Sequence, residues 1–313
     1  MMGGTHVQID LISGLVRGVT AGHDVIRPGQ SVWAAWYLDW PVIIPAVLVG
    51  IFYARGLLRW TERHRVHPWW QTALYYSGLL TIVLSIISPL DSLGTHHFTA
   101  HMIQHLLIMF VGVPLVLLGA PTTPVLRGLP RWLRLGVVRT LAGDPVARGA
   151  WRLVTQPLVA LVAFTVVMIA WHLVPGWYDA AVEDSAVHYL QHATFAGGAF
   201  LYWWNIIDPA PLRAPMGYLM RMVYVVASTT AQAVLAALIT NATEPLYHAY
   251  ERARPIFAIS VINDQQLGGL MMWIPGQLLD LATIGVLFAV WMSQSERRQD
   301  QLDAEDEAAR ASR

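Results

Sequence analysis

Apolar residues gather into seven stretches, roughly 39–58, 71–89, 98–119, 157–174, 186–206, 216–240 and 268–292. Each is close to the ~20 residues that a helix needs to cross the hydrocarbon of a bilayer. Pro45, Pro114 and Pro275 fall inside these stretches; spanning helices accommodate proline as a kink, because neighbouring groups satisfy the freed carbonyls. The pattern predicts an all-α, polytopic membrane protein: a bundle of seven transmembrane helices over 39–292. It is flanked by an N-terminal tail at 1–38 and a charged tail at 293–313. The first 38 residues have no continuous apolar run and carry Asp10, Arg17, Asp24 and Arg27. They read as an extracytoplasmic tail with an interfacial helix rather than a signal peptide. Residues 127–155 mix arginine with Trp132, Leu133, Leu135, Val137, Val138, Leu141 and Trp151, which suits short helices lying on an anionic leaflet. The tail from Ser293 reads as frayed helix or disorder.

Composition sharpens this picture. Charged residues make up 13% of the chain and hydrophobic residues 55%, against about one quarter charged in a soluble domain; mean hydropathy is +0.46. All 20 basic residues are arginines, and 16 of them fall in alternate loops and the C-terminal tail. The positive-inside bias then places the N-terminus outside and the C-terminus in the cytoplasm of a bacterial plasma membrane. Zero net charge gives no electrostatic pull toward nucleic acid. The absence of cysteine removes disulfides, thiol catalysis and thiolate metal sites. The absence of lysine removes a Schiff base and a Walker lysine.

Ionisable residues inside spans are expensive and mark function. Here they are mainly histidines, and the topology brings them to one level in the outer half of the membrane. The third span opens with His96 and His97, then His101 and His105. The fourth ends at His172, and the fifth opens with His188 and His192. Both i,i+4 pairs put two imidazoles on one helix face. At 1.5 Å per residue, His105 and His192 lie roughly 10 Å below the surface. One helix histidine ordinarily bonds to a nearby carbonyl. Five at matching depth, His101, His105, His172, His188 and His192, instead predict a metal or haem site.

Met102, Met109, Met168, Met271 and Met272 lie close by in the spans, and Asp264 precedes the last two. Imidazole with thioether suits copper, and thioether favours Cu(I). Met102, Met271, Met272, His97 and Asp264 are candidate additional ligands. Asp179, Glu183 and Asp184, with Asp91 in another loop, are candidates for an acidic mouth that concentrates cations. Asp280, deep in the seventh span, is expected to have a structural partner such as Arg221. Trp171, Trp177, Trp203 and Trp204 are expected in an interfacial aromatic belt.

With these residues in view, the chain resembles the polytopic CtaG family of cytochrome c oxidase assembly factors, the type associated with caa-type oxidases. The resemblance rests on F-T-A-H-M-I-Q-H from Phe98, L-G-A-P ending at Pro121, and A-W-H-L-V-P-G-W-Y-D-A-A from Ala170. It continues with V-H-Y-L-Q-H from Val187, Trp203-Trp204, and D-Q-Q-L-G-G-L-M-M-W-I-P-G from Asp264. W-Y-L-D-W at 36–40 and S-P-L-D at 88–91 fit as well, so the resemblance covers about 40–292. It implies a non-enzymatic chaperone-like helper of the respiratory chain. Such a helper would mature a haem–copper oxidase by binding copper, Cu(I) favoured, near the outer face and delivering it to the oxidase subunits. Two other readings stay open. Opposed histidines would also serve as axial ligands of a b-type haem electron carrier, and a copper transporter would need a polar path through the inner half.

The alternation of arginines yields a direct test. Reporter fusions after Arg65 and after Ser293 should both report the cytoplasm; an external signal at either position would break the shared depth of the histidines.

Overall fold

A computed structural model describes residues 31–209, 216–253 and 255–311; Asp10, Arg17, Asp24, Arg27 and most of the N-terminal tail lie outside them. Among the described residues there is no strand. Seven long helices correspond to the seven apolar stretches: α1 (Trp40–Leu58), α2 (Trp69–Ile87), α3 (Phe98–Leu118), α4 (Pro157–Leu173), α5 (Ser185–Ile207), α6 (Tyr218–Thr240) and α7 (Val261–Ala311).

Five of them, α1, α2, α3, α6 and α7, are long and apolar enough to cross a membrane. A sixth joins if α4 is taken with the helix Pro145–Val154, which meets it at 62°. The sequence expectation of seven is therefore coarser in the structure, for two physical reasons. By itself α4 has only 17 residues. Although α5 has 23, its apolar content is diluted by His188, Gln191, His192 and Asn205, all of them buried.

The most enclosed of the crossing helices is α3. Helix α7 packs along α6 and against the first half of α3; α5 lies between α4 and the second half of α3, and α2 covers the remaining side. The start of α3 has no cap from its own sequence. It is capped instead from α7: Asp264 accepts the N–H of Phe98 at 2.7 Å and of Thr99 at 3.3 Å. Asp184 caps α5 locally, accepting the N–H of Ala186 and Val187. Gly176, at φ +77°, makes the reversal from α4 into the short helix Trp177–Glu183.

Midway along α3 the backbone widens into a π stretch, Leu107–Gly112, and the Val113 N–H bonds to Ile108 O, five residues back. The next amide in that register would belong to Pro114, which has no N–H. The carbonyl it leaves, Met109 O, is taken by the indole N–H of Trp203 at 2.9 Å.

Several expectations need correction. Trp171, Trp203 and Trp204 are core residues rather than belt residues; only Trp177 of the four is exposed. Trp171 and Trp203 turn inward, where each indole N–H has an acceptor: the half-buried Thr194 hydroxyl for the first and Met109 O for the second. Asp280 is not paired with Arg221. Its partner is the Thr229 hydroxyl at 2.6 Å, while Arg221 bonds to Asp208 at 2.8 Å and to the carbonyls of Met216 and Ile206. Eight residues of helix, about 12 Å, separate Thr229 from Arg221, too far for one carboxylate to serve both. The charged tail continues α7 as helix to Ala311. Within 127–155, Arg131–Val138 and Pro145–Val154 form short helices with no buried residue.

The preceding short helix, Thr122–Gly128, packs tightly on α1. A Cβ on Gly56 would lie 1.7 Å from Pro124 O, and one on Gly128 would lie 1.7 Å from Phe52 O. Each glycine thus faces the carbonyl four residues before the other, a reciprocal small-residue contact of the kind that lets helix backbones touch. Gly56→Ala should cost about 1–3 kcal/mol, the range for overpacking, and lower the thermal midpoint in detergent. Gly285→Ala, where a Cβ meets nothing within 4 Å, should leave the midpoint unchanged. Equal midpoints for the two variants would refute the close contact.

Candidate metal centre

The five span histidines converge. Ring centroids lie 4.4 Å apart for His101–His105, 5.0 Å for His101–His188 and 4.3 Å for His188–His192. His105 is 5.2 Å from His192 and 6.5 Å from His172. Three helices deliver them: α3 and α5 by their i,i+4 pairs, α4 by its last turn. One ring nitrogen from each of His101, His188 and His192 lies within 4.8 Å of the other two, a spacing able to hold a metal ion.

Hydrogen bonds fix which nitrogen faces inward. His172 Nδ1 donates to Met168 O at 2.7 Å, and His188 Nδ1 to Ala181 O at 3.1 Å. His101 Nδ1 is 3.1 Å from the Tyr250 hydroxyl, which itself donates to Gly94 O at 3.0 Å. With its one proton given to Gly94 O, that hydroxyl accepts from His101. All three rings therefore carry the lone pair on Nε2, the arrangement that outer hydrogen bonds impose on metal-ligating histidines. His188 Nε2 lies 3.2 Å from His192 Nε2. Both nitrogens of His105, and Nε2 of His172, are buried without a hydrogen-bond partner.

Asp91 sits beside the cluster rather than at an outer mouth. It is fully buried, its Oδ1 is 3.7 Å from His188 Nε2, and it accepts from Tyr37 at 2.5 Å and Gln104 at 2.6 Å. The other candidate acids are also engaged. Asp179 accepts the Ala249 N–H at 2.8 Å, Glu183 pairs with Arg252, and Asp184 caps α5. Asp179 and Glu183 thus tie the short helix Trp177–Glu183 to the segment 249–252, and Asp184 caps its own helix. Asp264 is occupied in capping α3, with His97 Nδ1 3.6 Å from it, and His97 Nε2 accepts the N–H of Ile256 and Phe257. His97 and Asp264 thus clamp helix ends and lie outside the cluster.

The cluster is also closed. None of the five histidines is more than 6% exposed. Tyr178 packs on His101 and His172, and Phe98, Tyr247 and Tyr250 pack on Tyr178. On the other side of the cluster, Met102 and Met272 line a small cavity with Met109 and Met168. Met271 packs against the core without lining it.

Sequence reasoning did not single out Gln104, Gln191, Tyr178 and Tyr250. A signal for the glutamines was present: His101–His105 and His188–His192 both read His-x-x-Gln-His. Both glutamines are fully buried, and Gln104 also donates to Ser85 O. Tyr250 has no such local signal.

The family described as cytochrome c oxidase caa3 assembly factor (Caa3_CtaG) matches residues 51–294. The chain is 25% identical over 299 residues to the uncharacterized protein ML1998 of Mycobacterium leprae, covering 89% of this chain and 43% of that protein. It is 26% identical over 296 residues to the uncharacterized proteins Mb0105 of Mycobacterium bovis and MT0111 of Mycobacterium tuberculosis, with the same coverage. The chain spans less than half the length of these relatives. No solved structure matches it. With the family match running across all seven long helices and every histidine of the cluster, the chain belongs to the Caa3_CtaG family of cytochrome c oxidase assembly factors.

Proposed function

We propose that this chain is a non-enzymatic assembly factor of a haem–copper cytochrome c oxidase, which binds copper in the histidine cluster and delivers it to the oxidase. In this reading all seven long helices cross a bacterial plasma membrane, with the N-terminus outside and the cluster in the outer half. One observation carries the copper reading: three imidazoles from two helices bring ring nitrogens within 4.8 Å of one another. Neutral imidazole without thiolate binds copper strongly enough to hold it and exchanges it with the like donors of an oxidase.

Electrostatics support a cation there. Asp91 is fully buried with Oδ1 3.7 Å from His188 Nε2, and a carboxylate at that place favours a cation beside it. Haem is disfavoured by the packing. The rings stand against one another at 4.3–6.5 Å, leaving no flat slot for a macrocycle, and the adjoining cavity holds only about 30 Å³.

Replacing His105 and His192 together by alanine removes one ring from each i,i+4 pair while leaving the apolar length that drives insertion. The double variant should accumulate normally in the membrane. Its host should assemble an oxidase with its haem but with low copper and several-fold lower oxygen consumption. Added copper should restore part of both by mass action. Oxidase copper content and respiration measure this. Full activity at normal expression would eliminate copper delivery and leave the histidines as ties between helices.

A further inference from the structure

Beneath the three-histidine group lies a second, chemically different compartment. The cavity of about 30 Å³ is lined by Met102 and Met109 of α3, Met168 of α4, Met272 of α7, and by His105 and His172. Met102, Met109 and Met168 are each less than 5% exposed. Four methionines from three helices thus line one space the size of a single ion or water. Three imidazole nitrogens there are unsatisfied, both of His105 and Nε2 of His172, which are buried with no hydrogen-bond partner; the amide nitrogen of Gln232, which also lines the cavity, donates to Ser228. Unmet buried polar atoms of this kind call for a ligand. Water would meet the nitrogens, but thioether sulfur is a weak hydrogen-bond acceptor. A soft cation meets nitrogen and sulfur together.

We propose that this cavity is a second metal site, selective for soft monovalent cations, Cu(I) or Ag(I), and distinct from the nitrogen-only site of His101, His188 and His192. The proposal rests on the reading that this chain handles copper, and it adds a place and an oxidation state. His105 forms the wall between the two sites. Its ring lies 4.4 Å from His101 and 5.2 Å from His192 on one side, and 6.5 Å from His172 on the other. A cation passing between the sites exchanges imidazole for thioether donors around one shared ring, with no change of charge or oxidation state.

Ligand softness separates the sites in experiment. Zinc accepts imidazole but not neutral thioether, whereas Ag(I) accepts both. The purified full-length chain in detergent is titrated with Ag(I) and with Zn(II), and bound metal is counted after desalting. Cu(I)-loaded protein is read by X-ray absorption. The wild type should retain one more equivalent of Ag(I) than of Zn(II), and its Cu(I) spectrum should contain sulfur scatterers. Met102→Leu/Met109→Leu/Met168→Leu/Met272→Leu, a near volume-conserving set, should lose one Ag(I) equivalent and the sulfur signal while keeping its Zn(II). Equal Ag(I) and Zn(II) stoichiometry with a nitrogen-only Cu(I) spectrum in the wild type would overturn the second site and leave the three-histidine reading standing. Absence of any bound metal in the wild type would overturn both. Because the wild-type spectrum decides alone, a quadruple variant that fails to fold does not rescue the proposal.

Discussion

The carboxylate of Asp264 sets the frame on which the histidine cluster hangs. A helix start leaves amide hydrogens without partners, and in an apolar interior each is costly. At α3 the first two are met by a side chain 165 and 166 residues away in sequence. The anion also suits the positive end of the helix. His101 and His105 follow within two turns of this clamp, so their depth and facing are set where α7 holds α3. The approach is close: a Cβ on Gly268 would lie 2.3 Å from the Phe98 ring, and one on Gly269 would lie 2.4 Å from the Thr240 hydroxyl. Two adjacent glycines thus let α7 touch α3 and α6 at one level.

The π stretch just below is a second consequence of buried polar groups needing partners. Pro114 removes one donor, and the widened helix leaves Met109 O for an indole from α5. That bond anchors α5 against α3 about one turn beyond His105 on α3 and about three turns beyond His192 on α5. The same helix pair is therefore held apart by imidazoles at one end and joined by Trp203 lower down. A π stretch next to a candidate binding site has the expected company, since such widenings concentrate at functional positions.

The sequence made much of this legible. Apolar length located six of the long helices to within two residues, because insertion chemistry depends on composition, while α7 begins seven residues before its apolar stretch and runs on into the charged tail. Two i,i+4 pairs and a helix-terminal histidine were enough to predict that five rings meet, because helix geometry fixes their facing. What was not legible is what depends on partners distant in sequence. Asp264 looked like a ligand and is a cap; Asp91 looked like part of an open mouth and is buried against His188. Asp179, Glu183 and Asp184 read as acids of an outer mouth, and the sequence did not show the donors each of them meets. A charge in a loop carries no local sign of the donor that will fold against it. Trp203 misled for the same reason, since an indole near a span end reads as belt until its acceptor is known. The polar dilution of α5 is the price of the site itself: the residues that make the cluster are those that remove this helix from the plainly apolar set.

Burial of the cluster constrains how any ion reaches it. Rings no more than 6% exposed exchange nothing with solvent unless a neighbouring segment moves. The cover on the loop side is aromatic, with Tyr178 on the short helix Trp177–Glu183 and Tyr250 on Ala249–Arg252. These two segments are joined by the bond from the Ala249 N–H to Asp179 and by the pair Glu183–Arg252. The ion pair is exposed, and exposed pairs contribute little. The cover is thus fastened to itself more weakly at its rim than to the histidines at its centre. There the Tyr250 hydroxyl holds both Gly94 and His101. Displacing Tyr250 would release Nδ1 of His101 as well as opening the site, so the tautomer that presents Nε2 inward is tied to the closed state. In the proposed metal site, access and ring orientation are in this way coupled through one hydroxyl group.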